Sequence, residues 1–111
     1  AQSQEKLAQM GEGDFKRLKD EQDALAADLV KARDAGVEPG SEEAEALVER
    51  HRASIAQWYD VTPARQLILA RMYVGDPRFH EAYNGAQDYL LELVTAHAAA
   101  EGVDVDNPQW G

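Results

Sequence analysis

The sequence predicts an all-α domain, a compact bundle of about five helices joined by short turns. Ala, Leu, Glu, Arg and Gln dominate the composition, and all of them favour helix. Apolar residues recur every three or four positions, whereas the alternation that is typical of strands is almost absent. The 111 residues suffice for one domain with its own core. The unequal lengths of the predicted helices argue against a regular four-helix bundle.

The first long helix is predicted from about residue 15 to residue 35, with Asp14 or Gly13 near its N-cap. Gly36 stands where a C-terminal cap belongs. One face of this helix carries a stripe that we expect to be buried, formed by Phe15, Leu18, Gln22, Leu25, Leu29 and Ala32.

Capping residues mark the starts of the next helices. Ser41 caps a helix that extends to about Trp58, and Thr62 with Pro63 begins another. On these two helices the residues expected to face inward are Ala44, Leu47, Val48, His51, Ile55 and Trp58, followed by Leu67, Ile68, Met72 and Tyr73.

A short fourth helix follows Asp76 and Pro77 and directs Phe79 and Tyr83 inward. The Asn-Gly pair at 84–85 then bends the chain. A last helix, from about 86 to 100, is expected to bury Tyr89, Leu90, Leu93, Val94 and His97.

These elements predict three parts of the chain. Residues 1–13 carry few apolar anchors, so we expect a loosely ordered segment there. Residues 14–102 form the folded domain, whose last helix ends at Gly102. We expect residues 103–111 to form a frayed tail, with docking through Trp110 as the alternative.

The composition excludes several classes of function. The chain has no cysteine, so it has no disulfide, no thiolate metal site and no thiol nucleophile. Its net charge of −10 disfavours nucleic acids and anionic membranes, and favours neutral or cationic partners. The longest apolar stretch, at 67–74, contains Arg71 and is too short to span a bilayer. Because the N-terminus lacks a secretion signal, we expect a cytoplasmic protein.

The three histidines do not predict a metal, haem or catalytic site. His51, His80 and His97 are not spaced by three or four residues, so no single helix presents a pair of nitrogen ligands. Ser54 lies one turn after His51, but no G-x-S-x-G turn accompanies it. We therefore expect no cofactor, no bound metal and no enzymatic activity. His51 is expected to be a core residue, hydrogen-bonded to a backbone carbonyl or a carboxylate.

Aromatic residues concentrate around two helix breaks. The window from 58 to 83 holds Trp58, Tyr59, Tyr73, Phe79 and Tyr83. Core packing accounts for the tryptophan and the phenylalanine. Buried tyrosines need hydrogen-bond partners, and such residues also line concave sites for apolar ligands. The residue types leave both interpretations open, plain core or a ligand pocket.

Two blocks in this region resemble the TipAS-type antibiotic-recognition domain, the C-terminal half of a group of MerR-type transcription activators. They read HRASIAQWYDVT and ARMYVGDPRFHEAYN. The family pattern of His…aromatic-Tyr-Asp, Met-Tyr-Val and Asp-x-Arg-Phe is matched by His51, Trp58, Tyr59, Asp60, Met72, Tyr73, Val74, Asp76, Arg78 and Phe79. The opening SQEKLAQMGEGDFKRL also resembles the family's entry, so the likeness covers about residues 2–98.

The resemblance implies a globin-like, all-α fold without haem, which binds bulky hydrophobic antibiotics, thiopeptides included, in a cleft. It implies that part of the N-terminal region folds over the ligand. It assigns DNA binding and homodimerisation to a winged-helix domain and a coiled coil outside these residues. We expect the ligand to be contacted by His51, Ile55, Trp58, Tyr59, Val61, Met72, Tyr73, Phe79 and Tyr83.

The chain departs from the family at one chemically important position. Some members carry a cysteine directly after the Tyr-Asp pair, which captures dehydroalanine-containing thiopeptides covalently, and Val61 stands at the matching position here. The resemblance therefore implies non-covalent binding, in a MerR-type regulator or in a stand-alone drug-sequestering form. The alternative is a protein-interaction or signal-transmission module of a transcription regulator, without a small-molecule ligand.

Overall fold

The computed structural model describes residues 11–57 and 60–110, and within them the chain forms five α-helices and no strand. Their bounds are α1 Glu12–Asp34, α2 Glu42–Ile55, α3 Pro63–Gly75, α4 Arg78–Ala82 and α5 Gln87–Ala100. The predicted all-α fold is confirmed. Helix α3 packs most extensively against α5, while α2 packs against both α1 and α5. None of these helices is both long and apolar enough to cross a bilayer.

Helix α1 begins earlier than predicted, directly after Gly11. The N–H of Gly11 donates to Asp14 Oδ2 at 3.1 Å, so Asp14 supports the first turn from inside the helix instead of preceding it. At the other end Gly36 has a φ of 76°, and the N–H of Val37 donates to the Ala32 carbonyl at 3.0 Å. This is the left-handed C-terminal cap that the glycine predicts.

Only the second half of the apolar stripe on α1 is covered. Leu25, Leu29 and Ala32 are buried, whereas Leu18 is half-buried and Phe15 is 43% exposed. The predicted burial of Phe15 was wrong. The reason is length, because α1 has 23 residues and α2, its main partner, has 14. The first half of α1 therefore extends beyond the helix that covers the second half.

The capping residues predicted for α2 and α3 are confirmed. Ser41 Oγ accepts a hydrogen bond from the N–H of Ala44, and Thr62 Oγ1 accepts one from the N–H of Arg65, both at 3.2 Å. Helix α2 ends before its predicted last residue, Trp58, which lies outside the described residues.

The buried face of α3 differs from the predicted one. It consists of Gln66, Leu67, Ala70 and Tyr73. Ile68 is half-buried and Met72 is 51% exposed, so their predicted inward positions were wrong. Gln66 explains the difference. Glutamine is usually a surface residue, so the sequence does not indicate that this amide is buried with hydrogen-bond partners.

The turn between α4 and α5 is the predicted one. Asn84 and Gly85 have φ values of 52° and 80°, a left-handed conformation that asparagine and glycine tolerate best. In α5, His97 is half-buried and not fully buried as predicted, because its Nδ1 lies 2.6 Å from Glu45 Oε2 at the edge of α2.

The C-terminal tail docks along α3. Arg65 Nε donates to the carbonyl of Trp110 at 2.6 Å, and its guanidinium carbon lies 5.1 Å from the centre of the Trp110 ring. Arg71 donates to the carbonyl of Val105. Val103 and Val105 pack against the core. Of the two predicted alternatives for the tail, docking is the one observed.

Replacing Arg65 by Ala is expected to lower the free energy of unfolding by about 1–2 kcal/mol. The change removes hydrogen bonds from a charged donor to the carbonyls of Asp60 and Trp110, together with a cation–π contact. Urea denaturation measures the loss. Arg52→Ala is the matched control, because Arg52 pairs with Glu49 inside one helix. Equal losses of unfolding free energy in the two variants would show that the tail contacts contribute nothing to stability.

Candidate functional site

An open cleft of about 510 Å³ lies between the first half of α1 and the ends of α2, α3 and α4. It is lined by Leu18, Lys19, Glu21, Gln22, Ser54, Ile55, Leu69, Met72, Tyr73, Phe79, Ala82 and Tyr83. Cavities of this size accommodate drug-sized molecules. The cleft exists because α1 extends beyond α2, and because α4, with five residues, is too short to fill the remaining space.

Three aromatic rings, packed against each other at a tilt, form one wall of the cleft. The Tyr73 ring centre lies 4.5 Å from that of Phe79 and 5.4 Å from that of Tyr83. Tyr73 and Tyr83 are buried and Phe79 is half-buried. Burial raises the pKa of the Tyr83 hydroxyl above the usual value for tyrosine. The wall is therefore uncharged and held in place by ring packing.

His51 lies fully buried beneath this wall, with its ring centre 5.7 Å from that of Tyr73 and 6.3 Å from that of Tyr83. The Gln66 amide nitrogen donates to the Val48 carbonyl at 3.0 Å and to His51 Nδ1 at 2.9 Å. Since Nδ1 accepts, the ring proton resides on Nε2. Desolvation lowers the pKa of His51 to about 4, so the ring is neutral at pH 7. The predicted partner of His51, a carbonyl or a carboxylate, was wrong, because the amide of Gln66 takes that place.

The two charged residues that line the cleft, Lys19 and Glu21, are exposed and already paired, which suits the binding of an apolar molecule. Lys19 Nζ pairs with Asp23 at 3.0 Å, and Glu21 is 3.8 Å from Arg17 Nη1. The remaining lining is mostly aliphatic or aromatic. Across residues 11–57 and 60–110, no three His, Asp or Glu side chains cluster in a way that could hold a metal ion.

The structure brings several of the predicted ligand-binding residues together. The cleft wall contains Ile55, Met72, Tyr73, Phe79 and Tyr83. His51 lies below it, and Val61 is half-buried in the loop before α3, away from the described lining. The other two predicted residues, Trp58 and Tyr59, lie outside the described residues. Contact of any of these side chains with a ligand stays a prediction.

The sequence did not reveal that α1 contributes to the cleft. Leu18 and Gln22 were assigned to a buried stripe, yet they line the cavity. Leu69 and Ala82 were not singled out at all. One signal pointed to α1: Gln22, a polar residue, interrupts an apolar stripe on a helix that is longer than its predicted neighbours.

One family model matches the chain, the TipAS antibiotic-recognition domain, over residues 1–101. No curated protein and no solved structure matches it. The matched range contains all five described helices and every residue that lines the cleft. Of the described chain, only the tail that docks along α3 extends beyond the match.

Proposed function

The chain belongs to the TipAS antibiotic-recognition domain family, and we propose that its cleft binds bulky hydrophobic antibiotics, thiopeptide-like or other multidrug ligands, without a covalent bond. The cleft itself carries this proposal. It is an apolar cavity of about 510 Å³ whose rim includes Met72, 51% exposed, and whose wall includes the half-buried Phe79. Exposed apolar side chains that line a concavity and have polar neighbours are typical of ligand sites.

The composition supports reversible binding. Covalent capture of an electrophilic ligand in the manner of some family members needs a thiolate, and this chain has no cysteine. At the position where the resemblance places that cysteine, the chain has Val61. We therefore expect the complex to dissociate completely when the protein is denatured.

We further propose that the domain is the effector part of a MerR-type transcription regulator, or a stand-alone drug-sequestering form, in the cytoplasm and without enzymatic activity. The net charge of −10 supports the assignment of DNA binding to a separate N-terminal domain, because DNA affinity depends largely on neutralising phosphates. We assign dimerisation to that separate N-terminal region as well.

Closure of the N-terminal segment over the ligand stays a prediction. Residues 1–10 of the predicted 1–13 segment lie outside the described residues. The first half of α1, which follows this segment in the sequence, offers apolar surface, with Phe15 43% exposed and Leu18 half-buried. Fixing a segment costs about 1–2 kcal/mol per residue, so a ligand that orders it has to bury a large apolar surface. This favours large ligands over small metabolites.

Titration calorimetry with a panel of thiopeptides and other hydrophobic cyclic antibiotics tests the proposal. Saturable binding is expected, and Met72→Ala is expected to weaken it about tenfold, because a ligand in the cleft would bury that side chain. The stability of this variant should change little, since Met72 is already half in solvent. The intact mass after denaturation should equal that of the free protein.

Leu91→Ala is the matched control, since Leu91 packs against the core and is not part of the described cleft lining. Its affinity should equal that of the unmodified protein. A folded protein that binds no member of the panel would contradict the proposal. It would favour the alternative of a protein-interaction or signal-transmission module without a small-molecule ligand. A mass adduct that survives denaturation would contradict non-covalent binding.

A further inference from the structure

A second cavity continues the cleft along the seam between α1 and α2. This side pocket has a volume of about 270 Å³ and is lined by Glu21, Ala24, Leu25, Arg50, Ala53 and Ser54. Glu21 and Ser54 also line the cleft. The two cavities therefore share a boundary formed by one residue from each helix. An arm of a cleft-bound ligand that reaches past this boundary would enter the side pocket.

Both boundary residues offer hydrogen-bond acceptors. The Ser54 hydroxyl donates to the His51 carbonyl at 2.7 Å, so its oxygen retains only lone pairs for a ligand. The carboxylate of Glu21 forms a long ion pair with Arg17, at 3.8 Å, and both side chains are more than half exposed. Such a pair holds its partners weakly, so Glu21 can turn to a ligand at little cost.

The cationic side chains near the boundary are more closely engaged. Arg50 Nη1 lies 2.7 Å from Asp28 Oδ2, and Lys19 Nζ lies 3.0 Å from Asp23 Oδ2. An anionic ligand group would compete with the Asp28 and Asp23 carboxylates that already neutralise these two cations. A cationic group meets the Glu21 carboxylate directly, and the net charge of −10 adds a favourable field.

We propose that the side pocket is a second binding subsite, which takes a positively charged arm of a hydrophobic ligand. Glu21 and Ser54 accept the hydrogen bonds of that arm. This inference rests on the proposed function of the cleft and specifies its ligand class. The ligand is amphipathic, with an apolar body against Tyr73 and Phe79 and an ammonium or guanidinium group between α1 and α2.

Two fluorescent probes with the same aromatic body test the subsite. Dansylcadaverine carries an alkyl arm that ends in an ammonium group, and N-hexyl dansylamide carries a neutral arm of similar length. We expect the cationic probe to bind about three- to tenfold more tightly, because it adds a partly exposed charge pair with hydrogen bonds. Added salt should reduce this advantage, since exposed charges are screened.

Glu21→Gln keeps the shape of the side chain and removes its charge. It is expected to weaken binding of the cationic probe about three- to tenfold, and binding of the neutral probe less. Asp20→Asn is the matched control, because it makes the same change in net charge at the neighbouring residue, which pairs with Lys16 and does not line either cavity. The control should leave both affinities unchanged.

The outcomes distinguish failure of the proposed subsite from failure of the proposed cleft function. Equal affinities for the two probes, or equal effects of Glu21→Gln and Asp20→Asn, would overturn the subsite while the neutral probe still reports binding in the cleft. If neither probe binds and the antibiotic panel also fails, the proposed function fails together with the subsite.

Discussion

Lowering the pH from 7 to 4 is expected to reduce the free energy of unfolding by about 3 kcal/mol through His51 alone. Burial lowers the pKa of this side chain from 6.5, its value in an unfolded chain, to about 4. Between these two values the unfolded state binds more protons than the folded state. The contribution to stability is therefore fully present above pH 6.5 and is lost as the pH falls towards 4.

Urea denaturation at a series of pH values between 7 and 5 measures this slope before most carboxylates take up protons. His51→Asn removes the titrating group and should flatten the slope. Val94→Ala is the control for general destabilisation, because it truncates a fully buried side chain and changes no titrating group. It should lower stability at every pH while keeping the slope. Indistinguishable slopes in the two variants would contradict the assignment to His51.

Protonation of His51 would also change its contacts with the residues that support the cleft wall. Its ring contacts those of Tyr73 and Tyr83, which form the cleft wall, and its Nδ1 accepts from Gln66. A second proton would go to that nitrogen and turn the acceptor into a donor that faces the nitrogen of an amide. Protonation of His51 would therefore disturb the side chains that support the cleft wall.

Local interactions explain why so much of the fold could be predicted. Ser41 and Thr62 bond to an N–H three residues later, and Gly36 caps α1 through its own backbone conformation. Each of these signals acts within a few residues of the chain. Sequence periodicity accordingly predicted five helices and most of their buried faces.

The cleft could not be predicted in the same way, because it results from what the helices leave uncovered. Phe15 and Leu18 continue the stripe of Leu25 and Leu29 without a change in residue type, yet only the latter pair is buried. The difference lies in the relative lengths and placement of α1 and α2, which are properties of the tertiary structure. Met72 shows the same limit, since the apolar periodicity of α3 predicts an inward position for it and the side chain is 51% exposed at the cleft.

Tyr73→Ala is expected to lower the free energy of unfolding by about 3–5 kcal/mol, the range for removing a buried aromatic ring. Tyr73 is 8% exposed, and its ring packs against those of His51, Phe79 and Tyr83. Truncation would leave a void at the centre of this cluster. Denaturation in urea measures the loss, and a change below about 1 kcal/mol would show that the cluster relaxes around the void.

The size of this effect decides which variants can test ligand contact. A Tyr73→Ala protein that fails to bind could have lost either the ligand contact or the cleft itself. Tyr73→Phe keeps the ring and removes only the hydroxyl, so its expected cost is about 1–2 kcal/mol. Phe79→Ala, at a half-buried position, should cost less stability than Tyr73→Ala.

The combined results of Phe79→Ala and Tyr73→Phe locate the ligand contact. If Phe79→Ala loses affinity while Tyr73→Phe retains both affinity and fold, Phe79 contacts the ligand and the buried Tyr73 ring supports Phe79. If both bind normally, the ligand contacts lie elsewhere in the cleft, on the side formed by Leu18 and Met72.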